Sequence, residues 1–167
     1  YGFFIYIKDL NKNRIWSTTY EPTRTEPDKY EVRFSDYKVS YYRSDSDIEA
    51  QMDLVLFPEE DGEIRKVTLT NNRKEETLIE LISYLEIIGD SYQSDLAHPA
   101  FNSLFIRTEL FDEYNALLAN RRNINENQNP VWIAHVLVSD ELGKGGFQFE
   151  TSRPNFIGRG NDLSYPQ

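Results

Sequence analysis

Three short polar clusters stand between apolar segments of strand length, and they hold the residues best suited to binding or chemistry. They are His98-Pro99-Ala100-Phe101, the pair Arg121-Arg122, and Phe156-Ile157-Gly158-Arg159-Gly160. A buried arginine is costly unless it is paired. Arginines grouped with Gly and Pro in loops therefore favour a polar surface site over a core.

Each cluster has a structural and a functional interpretation. Pro99 holds His98 extended, so this segment is either a rigid loop or a loop that lines a cleft. In an extended chain Arg121 and Arg122 point to opposite sides, so one can pair with a carboxylate while the other projects outward. Arg159 lies between two glycines, which permit close approach to another surface. We take His98, Arg121, Arg122 and Arg159 as the candidate binding residues.

Two further residues have side chains that could contact a ligand. Trp16, beside Ser17 and Thr18, can stack on a sugar ring or fill the core, and the core is favoured. His135 lies in the apolar segment 131–138 and is interpreted as a structural histidine. We keep Trp16 as a secondary binding candidate behind the loop residues.

No catalytic or metal-binding motif is present in the sequence. HExxH, GxSxG and phosphate-loop patterns are absent, and Gly143-Lys144-Gly145-Gly146 is typical of a hairpin turn. A glycosidase needs two facing carboxylates, for which Asp95, Glu109 and Glu150 are candidates. Since spacing alone does not pair them, we assign no catalytic residue, no metal and no cofactor to this chain.

Composition limits the classes of partner. The net charge is −10, which argues against nucleic acid and against an anionic membrane surface. Because Cys is absent, disulfides and thiolate metal sites are excluded. No stretch approaches the roughly 20 apolar residues of a membrane-spanning helix. The chain starts at Tyr1 without Met, so we expect a piece of a longer protein.

The elements that position these residues are predicted to be strands. Residues 48–57 alternate most clearly, with apolar side chains at every second position. Residues 75–88 fit a helical stripe or a central strand, and the preceding hairpin-like context favours the strand. Residues 114–119 fit a strand or a helical turn, whereas 90–99, 122–130 and 153–167 are predicted to be irregular. The remaining predicted strands are 3–8, 14–18, 30–34, 38–43, 64–70, 104–109, 131–138 and 147–150.

About ten short strands separated by regular turns indicate an all-β sandwich or barrel. With 167 residues, the chain is long enough for one domain with a core of its own. We therefore predict a single antiparallel sandwich domain over residues 1–167.

Ordered motifs extend this interpretation to a family. They are Tyr6-Ile7-Lys8-Asp9, Ile15-Trp16-Ser17, residues 26–32, residues 63–71, His98-Pro99-Ala100-Phe101, Ala116-Leu117-Leu118-Ala119 with Arg121-Arg122, Pro130-Val131-Trp132, Glu150-Thr151 and Phe156-Ile157-Gly158-Arg159-Gly160. In this order they resemble the β-sandwich domain of cyclic β-1,2-glucan synthases and 1,2-β-oligoglucan phosphorylases. These enzymes are relatives of cellobiose and chitobiose phosphorylases, a group once classed as glycosyltransferases.

The resemblance implies a large two-layer antiparallel sandwich similar to galactose mutarotase. In the family a helical (α/α)6 barrel carries the catalytic residues and the sandwich packs on it. The expected partners are therefore β-glucan oligosaccharides, the barrel of the same polypeptide and a second copy of the parent in a homodimer. Inorganic phosphate would be a co-substrate of the parent and not a ligand of this domain. The family implies a cytoplasmic location, or the cytoplasmic face of a membrane-anchored parent.

Three functions remain open at this point. The favoured one is an accessory sandwich domain, inactive alone, that helps shape the glucan cleft of its parent. The alternative is a free-standing carbohydrate-binding module. The least favoured is a mutarotase-like enzyme that uses His98 or His135.

Overall fold

The structure is a computed structural model that describes residues 2–97, 101, 103–122, 131–140 and 146–167. The described residues form ten strands: β1 (Phe3–Asp9), β2 (Arg14–Ser17), β3 (Lys29–Phe34), β4 (Lys38–Asp45), β5 (Ile48–Leu56), β6 (Glu63–Asn71), β7 (Ile79–Leu85), β8 (Ile106–Phe111), β9 (Ala116–Arg121) and β10 (Trp132–Val136). Short helices span Tyr92–Ala97, Asp112–Tyr114 and Arg153–Ile157.

The described strands build three antiparallel sheets in two compact units. The first unit, Tyr1–Leu85 with Ile157–Gln167, contains a sheet of order β2-β1-β7 and a sheet of order β3-β4-β5-β6. The second unit, Glu86–Phe156, contains the sheet β8-β9-β10. This architecture confirms the predicted all-β antiparallel class. The prediction of one domain over residues 1–167 stays a prediction.

The core of the first unit lies between its two sheets. Ile7 and Trp16 come from the β2-β1-β7 sheet, whereas Ile48 and Ala50 come from β5, and all four are buried together. Leu69 packs against them from β6, as does a residue of β7. Apolar side chains on alternate positions of paired strands point to one face, so the two sheets form a two-layer sandwich.

Strand β5 shows how far the predicted alternation follows the core. Ile48, Ala50 and Met52 are buried, Leu54 is half-buried and Leu56 is 63% exposed. The alternation is therefore correct for the strand, but burial decreases toward its C-terminal end.

The ambiguous segment 75–88 contains strand β7. Its register with β1 runs without interruption from Phe3 opposite Leu85 to Asp9 opposite Ile79. This confirms the favoured interpretation, since pairing with a neighbouring strand overrides the helical spacing of the apolar residues. The open segment 114–119 is resolved as well, because the Asp112–Tyr114 turn ends at left-handed Asn115 and β9 follows.

Two segments predicted to be irregular contain helices, and those predictions were wrong. Residues 90–99 include the helix Tyr92–Ala97, which is too short to show a helical period in the sequence. The helix Arg153–Ile157 begins after Ser152, whose hydroxyl accepts the Asn155 N–H at 3.4 Å. Serine before a helix with proline in its first turn is a start signal, and it was visible in the sequence.

The predicted strand 147–150 is not a strand. Its residues alternate between aromatic and polar types, but a strand also needs a hydrogen-bonding neighbour, which local alternation does not supply. Most of the predicted loop 122–130 and most of the glycine-rich turn 143–146 lie outside the described residues.

Candidate functional site

Arg121 ends strand β9 in the second unit and is held on two sides. Its guanidinium forms an ion pair with Asp90 and lies 5.6 Å from the centre of the Phe105 ring. Gly89 has a φ of +64°, and a Cβ at that position would lie 3.0 Å from the Arg121 Cβ. The glycine thus allows the backbone beside Asp90 to approach the arginine closely.

Arg122 follows directly and has a different environment. Its backbone N–H donates to the Phe105 carbonyl at 2.8 Å, while the residue as a whole is exposed. Arg121 is therefore the paired member of the dipeptide and Arg122 the exposed one. Their role in ligand binding stays a prediction.

The other predicted binding residues lie apart from this pair. Arg159 is exposed in the first unit, between Gly158 and Gly160, which have φ values of +81° and +83°. Trp16 is only 2% exposed and belongs to the core, so its ring is not available as a surface platform. Its indole N–H has no acceptor among the described residues. His98 lies outside the described residues.

A cleft of about 240 Å³ opens in the first unit, at a place the sequence did not indicate. One wall is the β1–β2 hairpin, with Lys8, Arg14 and Ile15, and the other is the C-terminal segment, with Asn161 and Tyr165. Because the two walls come from opposite ends of the chain, their residues form no spacing pattern that could be recognised in the sequence. The sole local signal was an aromatic residue in a polar tail, at Tyr165.

The C-terminal wall is fixed to the hairpin sheet. The hydroxyl of fully buried Tyr6 donates to the Leu163 carbonyl at 2.9 Å, and burial raises the pKa of Tyr6 well above its usual value. Asp162 accepts hydrogen bonds from the Ser164 hydroxyl and N–H, and these bonds lower the pKa of Asp162. The turn that carries Tyr165 is therefore closed by an ionised carboxylate.

A buried ion pair stabilises the first unit at the β4 edge of its core. Arg43 donates through Nε and Nη2 to the two carboxylate oxygens of Asp45, at 2.6 and 2.9 Å. Its remaining donors reach the carbonyls of Thr19 and Thr25, at 3.0 and 2.7 Å. Both side chains are at most 2% exposed, so four hydrogen bonds from the guanidinium take the place of its bonds to water.

A second buried pair joins Asp9 to Arg73. The Arg73 Nη1 donates to Asp9 Oδ2 at 2.6 Å, and the N–H groups of Asn11 and Lys12 donate to Oδ1. Burial by itself would raise the pKa of Asp9, but the hydrogen bonds from Arg73 and the two N–H groups outweigh it and lower the pKa. Asp9 therefore closes the β1–β2 turn as a carboxylate.

The sheet of the second unit carries exposed apolar side chains on one side. Register places Phe111, Ala116 and Val136 in one row, and Glu109, Leu118 and Ala134 in the next. A third row holds Arg107, Asn120 and Trp132. We call this side, with Trp132 at its end, the open face. Phe111, Trp132 and Val136 are 46%, 53% and 51% exposed, so large apolar surface meets solvent there.

The three candidate carboxylates of the sequence lie in different environments. Hydrogen bonds from the Ser152 N–H and the Asn155 amide lower the pKa of Glu150, which suits an acceptor better than a general acid. Glu109 is exposed on β8, and Asp95 is buried on the helix Tyr92–Ala97. Among the described residues, no group of three His, Asp or Glu side chains could hold a metal ion, and no helix is long and apolar enough to cross a membrane.

Comparison with known proteins identifies one curated relative and one family model that match this chain. A curated relative, the cyclic beta-(1,2)-glucan synthase NdvB of Rhizobium meliloti (strain 1021), is 29% identical over 163 residues. The alignment covers 98% of this chain and 6% of the relative, so the chain spans a small fraction of that protein's length. The family model described as glycosyl hydrolase 94, supersandwich domain, matches residues 1–167. The chain belongs to the glycosyl hydrolase 94 supersandwich domain family.

Proposed function

We propose that the chain is the non-catalytic sandwich domain of a β-1,2-glucan synthase or phosphorylase, which packs on the catalytic barrel and helps shape the glucan cleft. The relative's name supports the substrate, since that protein is a cyclic beta-(1,2)-glucan synthase. The barrel, not this domain, would carry the chemistry, and inorganic phosphate would be a co-substrate of a phosphorylase parent.

The observation that carries the packing role is the open face of the second unit. Phe111, Trp132 and Val136 are each about half exposed, although they lie on one side of a single antiparallel sheet. Exposed apolar side chains that are grouped on a sheet and bordered by polar ones, here Arg107, Glu109 and Asn120, are typical of a surface that another domain covers. Covering it removes apolar area from water, which is the main favourable term in domain association.

The free-standing carbohydrate-binding module is the less favoured function. Almost the whole chain aligns inside a much longer relative, as expected for one domain of a large enzyme. The net charge of −10 agrees with protein and sugar partners and opposes nucleic acid. We place the parent in the cytoplasm or at the cytoplasmic face of a membrane, where two copies would form the homodimer that the family implies.

The packing role is tested in the full-length parent with Phe111→Lys and Val136→Lys combined. We expect turnover and thermal stability of the parent to fall, because two buried charges would oppose docking. Phe34→Lys is the matched control, since Phe34 is 79% exposed in the first unit. If the open-face variant keeps the turnover and the thermal stability of the parent, the open face does not pack on the catalytic barrel.

The cleft-shaping role is tested separately with alanine at His98, Arg121, Arg122 and Arg159 in the same parent. We expect weaker oligoglucan binding or slower turnover in at least one variant, because these side chains can hydrogen-bond sugar hydroxyls. If all four variants keep the affinity and the turnover of the parent, these residues do not shape the cleft.

A further inference from the structure

We infer that the cleft between the β1–β2 hairpin and the C-terminal segment is a binding subsite for one glucosyl unit of a β-glucan chain. The inference rests on the proposed function for its substrate class and adds a place where this domain itself holds the glucan. The predicted binding residues are not among the residues that line this cleft.

The size of the cleft matches one sugar ring. Its volume is about 240 Å³, which lies below the roughly 300–1,000 Å³ of pockets that enclose a drug-sized ligand. The walls come from a surface hairpin and the surface segment 161–167. A chain held by one ring can therefore continue into solvent on either side.

The lining supplies the contacts that a neutral pyranose requires. The Tyr165 residue is 53% exposed, so its ring presents a flat apolar surface for the C–H groups of a sugar. Asn161 and Gln167 provide amide groups that both donate and accept hydrogen bonds, and Lys8 adds a donor. In the described part of the chain, none of these four side chains makes a hydrogen bond that would compete with a ligand.

The charge of the lining favours a ligand rich in oxygen acceptors. Lys8 and Arg14 are the cations of the cleft, and the described lining contains no acidic side chain. The chain as a whole has a net charge of −10, but no acidic side chain of the lining pairs with these two cations. Their N–H groups can therefore donate to a ligand. Arg14 already donates to the Ser46 hydroxyl, so it is held in place with donors still available for sugar oxygens.

Both walls are fixed before any ligand arrives. Lys8 and Ile15 are register partners in the hairpin, and the Tyr165 N–H donates to the Asp162 carbonyl at 3.2 Å. A Cβ on Gly158 would lie 2.8 Å from the Gln167 Oε1, so the glycine makes room for the Gln167 side chain. A fixed site loses less conformational entropy on binding.

The test is a titration of the chain with a β-1,2-linked glucotriose, followed by the backbone amide signals in nuclear magnetic resonance. We expect changes at Lys8, Asn161 and Gln167, with an affinity on the order of 1 mM because one ring is bound. Tyr165→Ala should weaken binding about five-fold or more, whereas Tyr165→Phe should keep it, since the ring does the stacking. Tyr37→Ala is the matched control, because Tyr37 is 73% exposed away from the lining.

Three results would overturn the inference. If the signals change at other residues and Tyr165→Ala does not alter those changes, the domain binds glucan at a different place and the cleft is not the subsite. No change at any site up to about 20 mM would also remove it, while the packing role would be decided by the open-face variants. Inorganic phosphate that displaces the trisaccharide at equal concentration would make the cleft an anion site instead.

Discussion

The two units of the chain use apolar residues in opposite ways. In the first unit, two sheets enclose Ile7, Trp16, Ile48 and Met52, each at most 2% exposed. In the described part of the second unit, the buried apolar residues are Ala116 and Ala119, while large side chains such as Trp132 remain exposed. The first unit therefore contains a core of its own, whereas the second has apolar surface that its described residues do not cover.

We propose that the first unit gives the domain its stability and that the open face of the second unit serves association with the parent enzyme. A sheet needs another layer over its apolar side to be stable, and the first unit supplies that layer internally. In the described part of the chain, the open face of the sheet β8-β9-β10 carries large side chains that are about half exposed, and we propose that the parent enzyme supplies the layer that covers them.

The largest effect is expected from the two tryptophans, one in each unit. Trp16→Ala should lower the free energy of unfolding by about 3–5 kcal/mol, because it empties a closed core. Trp132→Ala should lower it by about 1 kcal/mol or less, since 53% of the residue is already exposed to solvent. Chemical denaturation followed by circular dichroism measures both. Equal losses would contradict the proposed difference between the units.

The next effect compares a buried ion pair with an exposed one. Arg43→Met should cost about 3 kcal/mol, because it leaves the carboxylate of Asp45 buried without its cation. Arg33→Met is the control, since the Arg33–Glu31 pair has side chains that are 63% and 55% exposed and such pairs contribute about 0–1 kcal/mol. If both variants lose the same free energy of unfolding, the buried pair does not anchor the first unit.

A smaller effect is expected at the Asp90–Arg121 anchor of the second unit. Gly89→Ala should destabilise by about 1–2 kcal/mol, because the left-handed backbone at φ +64° disfavours a Cβ. Gly146→Ala is the control for the effect of backbone conformation, since Gly146 has φ +62° but no described atom lies within 4 Å of its added Cβ. If the amides of β9 lose protection from hydrogen exchange in Gly89→Ala but not in Gly146→Ala, the close approach to Arg121 contributes to stability. Equal losses at both glycines would assign the whole effect to backbone conformation.

The smallest effect is a change of stability with pH. The pKa of Asp9 is lowered from its ordinary value of 3.8, so its stabilising effect is complete above that value and is lost as pH falls through the lowered pKa. The stability difference between the chain and Asp9→Asn should therefore shrink when unfolding is measured at decreasing pH below 3.8. A difference that stays constant down to the acid transition would show that Asp9 is not held as a carboxylate.

Local patterning was enough to predict most strands but not the cleft. Alternation in β5 and the turn between β1 and β2 are properties of neighbouring residues, so they were visible in the sequence. The cleft joins Lys8 to Tyr165, and the buried pair joins Asp9 to Arg73, across distances in the chain that no local pattern encodes. The strand predicted at 147–150 failed for the same reason, since pairing is a property of two segments.

Hydrogen exchange of the chain, alone and within the full-length parent, measures whether another domain covers the open face. We predict that amides of β8, β9 and β10 become more protected in the parent, because the open face is covered there, while β1 to β7 change little. Equal protection of β8 to β10 in both settings would contradict the account, since it would show that no domain covers the open face.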